Sequence, residues 1–121
     1  MGLIIYMRLD RVVEVLDAKV YTDVPYSGIE IHTACGADLM SDALAFGGNK
    51  GLLLTGLNNP QCVRTAEMMD IHCVVLVRGK EPANDIVALA NEKDVIVMKT
   101  NHTMFTACGL LYQAGLSGAD V

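Results

Sequence analysis

The chain has 121 residues, 52% of them hydrophobic and 19% charged, a balance that excludes disorder and supplies enough apolar side chain for one core. Its formal net charge is -5, and the nine basic residues are scattered without a stripe, which excludes general affinity for a phosphate backbone; no nucleic-acid partner is expected. Aromatics reach only 5%, so Val, Leu, Ile, Ala and Met must build the core, and apolar runs such as Gly51–Leu54 and Cys73–Val77 are far too short to cross a bilayer, so no membrane partner is expected either.

Met1–Tyr6 has neither a charged n-region nor a full apolar h-region, so no signal peptide is read and a cytoplasmic setting is expected. The cysteines at 35, 62, 73 and 108 form no CxxC and are read as free thiols, mostly small buried hydrophobes. Leu9–Leu16 places Leu9, Val12, Val13 and Leu16 at helical spacing, with Asp10 as N-cap or first-turn acid. Lys19–Thr22 and Ile29–Thr33 alternate apolar and polar residues and read as two short strands joined through Pro25, Ser27 and Gly28. Asp38–Phe46 is helical, ended by Gly47-Gly48-Asn49 as a left-handed C-cap.

From there the pattern becomes regular. Gly51–Thr55 is an apolar strand. Asn59-Pro60 opens a helix to Met69, with Asn at the N-cap and Pro at the first helical position. His72–Val77 is a β-branched strand, Pro82 opens a helix to about Lys93, Val95–Met98 is a third strand, and Thr103–Gln113 closes as a helix before Gly115. Ser117–Val121 reads as a frayed tail. Short alternating strands and helices predict α/β architecture. The whole chain is expected to form one compact three-layer domain, its core at about residues 9–116, with a mostly parallel sheet of four or five strands and helices on both faces.

In such a sheet the loops leaving the carboxyl ends of the strands share one edge, and ligands bind there. Three loops qualify: Thr55–Asn59, Arg78–Glu81 and Lys99–Thr103. Each is polar and precedes a helix N-terminus with free backbone donors, which suits an anionic or carbonyl-bearing ligand. Candidate contacts are Thr55, Gly56, Asn59, Arg64, Arg78, Thr100 and His102; Asp38, Ser41 and Asp42 form a second cluster at a helix start. Each has a plainer reading: Asn59 and Asp38 as helix caps, Gly56 as a turn residue, and Arg78, Ser41 and Asp42 as solvated surface groups. Neither Gly-rich nucleotide signature occurs, and Gly47–Gly51 lies at the wrong end of the sheet for a phosphate loop. No nucleophile elbow and no acid pair is found, so no catalytic residue is assigned. The cysteine spacing gives no local metal site; Cys62 with Cys73, or Cys35 with Cys108, are the pairs that could meet in space, the latter two in matching Ala-Cys-Gly settings. No cofactor or metal is expected.

Over Ala34–Phe46 (ACGADLMSDALAF), Leu53–Met69 (LLTGLNNPQCVRTAEMM) and Phe105–Leu116 (FTACGLLYQAGL) the chain resembles the DRTGG domain family. The literal motif is absent; Leu54-Thr55-Gly56-Leu57 stands where its Thr-Gly-Gly end would be. The resemblance implies a fold similar to the N-terminal domain of HPr kinase, without that enzyme's phosphate loop. It also implies a sensing or transmitting role beside a separate catalytic domain, as between CBS domains in some pyrophosphatases. Stand-alone versions resemble proteins that accompany iron hydrogenase and electron-transfer subunits.

Three functions stay open. The first is a non-catalytic regulatory module that binds a nucleotide-like or other small anionic ligand, or docks on a partner enzyme such as an iron hydrogenase or electron-transfer complex. The second is a structural or assembly protein with dimerisation as its main business; a homodimer is expected, closed twofold pairing being the usual form. The third is a redox or metal-linked accessory protein.

Overall fold

A computed structural model describes residues 6–46 and 51–118. The predicted Gly47-Gly48-Asn49 cap lies outside the described residues.

The chain opens with β1 (Met7–Arg8) and α1 (Leu9–Leu16), then β2 (Lys19–Val20), β3 (Glu30–Ile31), β4 (Thr33–Gly36) and α2 (Met40–Phe46). It continues through β5 (Gly51–Thr55), α3 (Gln61–Met68), β6 (Cys73–Leu76), α4 (Asn84–Glu92), β7 (Ile96–Lys99), α5 (Met104–Gln113) and β8 (Ser117–Gly118). The main sheet has the order β2-β7-β6-β5-β4-β8. Its centre is four parallel strands, β4 to β7; β8 adds two residues in parallel beyond β4, and β2 adds two in antiparallel beyond β7. The predicted mostly parallel α/β sheet is thus present, and the two-residue edges bring its count to six strands.

Strand register sorts the core. Cys35, Leu53, Val74 and Val97 are Cα partners across β4–β7 and pack in one cluster with Val63 and Ala66 of α3 and Ile86 and Ala90 of α4. The neighbouring rows, Leu52–Cys73–Ile96 and Leu54–Val75–Met98, pack on the other face with Leu9, Val12 and Leu16 of α1 and Ala107 and Leu111 of α5. Successive strand side chains point to opposite faces, so strands covered on both sides must be apolar throughout. Every residue of β5 and β6 is buried accordingly.

Four sequence expectations need correction. Lys19–Thr22 and Ile29–Thr33 do not pair: β2 bonds to β7, whereas β3 forms a separate two-stranded ribbon with β1. The segment Thr33–Gly36 is a full member of the parallel sheet, and it moves the start of the following helix from Asp38 to Met40. Ser117-Gly118 is not a tail but the strand β8, because α5 returns the chain to the open edge of β4. Pro82 also precedes its helix by two residues, with Ala83 as the N-cap of α4.

Candidate functional site at the strand ends

The four parallel strands end at one edge, and the loops that leave them are welded together by backbone. Ala37 N–H donates to Leu54 O (3.0 Å), Val77 N–H to Thr55 O (3.1 Å) and Thr100 N–H to Leu76 O (2.9 Å), so the register runs past the strands. The loop after β6 then leans on the loop after β7: Arg78 N–H donates to His102 O and Gly79 N–H to Thr100 O, both at 2.8 Å. Asn58 ties the loops after β5 and β6 together, its Nδ2 donating to Glu81 O (2.9 Å) and its Oδ1 accepting from Ala83 N–H (3.3 Å).

The chain leaves β6 for α4 on one face and leaves β7 for α5 on the other. The carboxyl ends of the strands in an open α/β sheet are where ligands bind. Arg78 stands there. Its backbone is left-handed (φ 65°), as is that of Gly79 (φ 70°), the pairing of a tight turn that ordinarily selects Gly or Asn. The side chain turns back over Gly56: a Cβ at position 56 would lie 2.7 Å from Arg78 Nη2 and 3.1 Å from Asp38 Oδ1. The tips of two side chains thus lie close over Gly56. Its N–H donates to Asp38 Oδ1 (2.7 Å) and its carbonyl accepts from Lys80 Nζ (3.1 Å).

One residue of the second cluster thus joins the first, because β4 delivers Asp38 to the same edge as Gly56 and Arg78. Asp38 contacts the neighbouring loop. Ser41 and Asp42 are exposed on α2, and no hydrogen bond or ion pair among the described residues joins them, or the exposed Arg64 on α3, to Gly56. Thr55 and Thr100 are fully buried. The Thr55 hydroxyl accepts from Leu57 N–H (3.1 Å); the Thr100 hydroxyl donates to Leu16 O (2.7 Å) and accepts from His102 N–H (3.3 Å). Both shape the loops from beneath. Asn59 caps α3 by accepting from Gln61 N–H (2.8 Å), and His102, half-buried, contributes its carbonyl to Arg78. The sequence reading omitted Lys80 and Asn58 from the site. Only a signal from loop packing marks them, since each acts on a loop other than its own.

The cysteines lie apart from this edge. Cys62 and Cys73 belong to clusters on opposite faces of the sheet. The Cys108 sulfur packs beside Gly36, next to Cys35, and after burial it is the second cause that raises the Cys35 thiol. Among the described residues no three His, Cys, Asp or Glu side chains gather as for a metal. Burial pushes all four thiols up, Cys62 to about 11, which disfavours the thiolate a nucleophile needs. The edge offers backbone donors, two cations and one carboxylate. No helix of the described residues is long and apolar enough to cross a membrane.

Comparison with known proteins gives a family and a fold. The model of a family described as DRTGG domain matches residues 11–114. A similar solved structure is that of the CBS and DRTGG domains of the regulatory region of Clostridium perfringens pyrophosphatase, complexed with the activator diadenosine tetraphosphate. It aligns with a TM-score of 0.68 at 18% identity, over 88% of this chain and 46% of that one, so the chain spans less than half of its neighbour's length. No curated protein matches.

Proposed function

The chain belongs to the DRTGG domain family, and we propose from that premise that it is a non-catalytic regulatory module, one unit from end to end, that binds a small anionic, nucleotide-like ligand at the strand-end rim. The observation that carries this reading is the convergence of Arg78, Asp38 and Lys80 on Gly56 at the carboxyl ends of the parallel strands. The fold neighbour supports it, being a regulatory region in complex with a nucleotide activator. On this reading the protein works in the cytoplasm and passes ligand occupancy to a partner enzyme, of the iron hydrogenase or electron-transfer kind that the family resemblance implies. Thermal shift and calorimetry with diadenosine tetraphosphate, ATP and inorganic diphosphate test it. Binding to the native state raises the melting temperature with ligand concentration, and Arg78→Ala removes that rise. A flat response to all three ligands overturns the reading.

A second reading, homodimerisation, has its own observation. Phe105, Gly109 and Tyr112 lie one above another on α5 at i, i+4 and i+7. Phe105 is 88% and Tyr112 69% exposed, and nothing stands within 4 Å of where a Gly109 Cβ would be. Sedimentation of wild type against Phe105→Glu tests it. A dimer that the substitution splits supports pairing through α5, and a monomeric wild type rules it out.

A further inference from the structure

The geometry points to an anion subsite at Gly56 that takes a phosphate group of the ligand, and for which the Asp38 carboxylate is a built-in competitor. This inference rests on the rim being a ligand site and names how the anion is read there.

A backbone N–H beside a guanidinium is an anion receptor, because both donors point positive charge at one small volume. Arg78 Nη2 lies beside the open Cβ position of Gly56, on the same residue whose N–H is a donor. One anionic oxygen already sits on that amide: Asp38 Oδ1, 2.7 Å from Gly56 N. Among the described residues, however, Arg78 makes no ion pair within 4.0 Å and no side-chain hydrogen bond, so the carboxylate takes the amide and leaves the guanidinium unused. Arg78 is nonetheless aimed. Its left-handed backbone is held by the bonds of Arg78 N–H and Gly79 N–H to His102 and Thr100 carbonyls, and it projects the side chain over Gly56. Lys80 fixes the Gly56 carbonyl from the following loop.

A phosphate group carries more charge than one carboxylate and has enough oxygens to accept from the amide and the guanidinium together. It therefore displaces Asp38. Asp38 leads into α2, so its release breaks the side-chain link between the β4–α2 and β5–α3 loops. The subsite would in this way report occupancy to α2. The sign of the prediction is unusual: deleting a polar residue from the site strengthens binding.

Calorimetry with inorganic diphosphate at fixed ionic strength tests this on wild type, Asp38→Ala, Asp38→Asn and Arg78→Ala. Asp38→Ala, which removes the competitor, is expected to bind diphosphate about tenfold tighter than wild type, and the isosteric Asp38→Asn, whose neutral Oδ1 still accepts from Gly56 N–H but without charge assistance, to bind tighter by a smaller factor. Arg78→Ala is expected to bind at least about tenfold weaker, and adding Asp38→Ala to it should restore little. In the amide spectrum, the Gly56 N–H resonance of wild type should move on diphosphate saturation toward its position in diphosphate-loaded Asp38→Asn. If wild type binds and both folded Asp38 variants bind equally or more weakly, the competitor role is overturned and the rim reading stands. If neither wild type nor the Asp38 variants bind diphosphate, the subsite is overturned; the rim reading then stands or falls on the two nucleotides.

Discussion

Arg78 holds a backbone conformation that costs an L residue with a side chain about 1–2 kcal/mol and that Asn tolerates better. On the proposed function, strain kept at an exposed arginine whose side chain has no hydrogen-bond or ion-pair partner among the described residues is explained by use of the guanidinium itself. Arg78→Asn is therefore expected to leave stability unchanged or to raise it by up to about 1 kcal/mol in urea denaturation, while diphosphate binding is lost in calorimetry. A destabilised variant would make the side chain structural instead. Cys62 gives a second residue-scale test. Burial lifts its thiol from 9.0 to about 11, despite opposing backbone hydrogen bonds at Val63, Cys62 and Asn59. The folded value lies above the unfolded one, so the unfolded thiol ionises first as pH rises. Its contribution is complete below about pH 9 and falls away toward pH 11, by roughly 1–3 kcal/mol. Urea denaturation from pH 7.5 to 10.5 should show this decline, shallower in Cys62→Ala.

Helix ends explain much of how the elements stop. After α1, Ala18 N–H reaches Val13 O and Asp17 N–H reaches Glu14 O; after α3, Ile71 reaches Ala66 O and Asp70 reaches Glu67 O; after α5, Leu116 reaches Leu111 O and Gly115 reaches Tyr112 O. This is the Schellman arrangement, with an apolar residue following the left-handed one. Gly115 (φ 113°) suits it, but α1 and α3 use aspartates, Asp17 (φ 49°) and Asp70 (φ 57°). An aspartate there is strained and adds negative charge at the negative end of the helix dipole. Asp70→Gly is accordingly expected to stabilise the protein by about 0.5–1 kcal/mol, seen as a rise of a few degrees in melting temperature. A fall would show that Asp70 has a partner role in solution. At the other ends, Thr103 caps α5 by accepting from Thr106 N–H (3.4 Å), and Asn59 caps α3, where Ser, Thr, Asn or Asp is expected.

At the scale of the molecule, two apolar clusters share a single sheet. Removing either exposes the other side of the same strands, so unfolding should be one cooperative transition. Protection should still be graded. β5 and β6 are buried and paired on both sides, whereas β2 and β8 are two-residue edges. Hydrogen exchange is expected to be slowest at Leu53, Leu54, Val74 and Val75 and to begin at Lys19–Val20 and Ser117–Gly118. Edge amides as slow as those of the centre would mean that the edges are covered in solution, as in a dimer.

Local chemistry alone determined the parts of this protein whose signal is local. The spacing of Leu9, Val12 and Leu16 made α1, the unbroken apolar runs at 51–55 and 73–76 made buried parallel strands, and Asn59 and Thr103 marked helix starts. Those elements were enough to place the strand-end loops and to single out Gly56 and Arg78. Tertiary structure decided the rest. Thr-Ala-Cys-Gly carries no run of apolar residues and becomes β4 only because β5 and β8 pair with it. β2 is a strand because β7, some eighty residues later, offers an edge. The joining of Asp38 to Gly56, of Lys80 to Gly56 and of Thr100 to Leu16 followed from how the strands were ordered. A hydrogen bond between distant residues leaves no trace in spacing, since its partners are chosen by packing and not by neighbours in the chain.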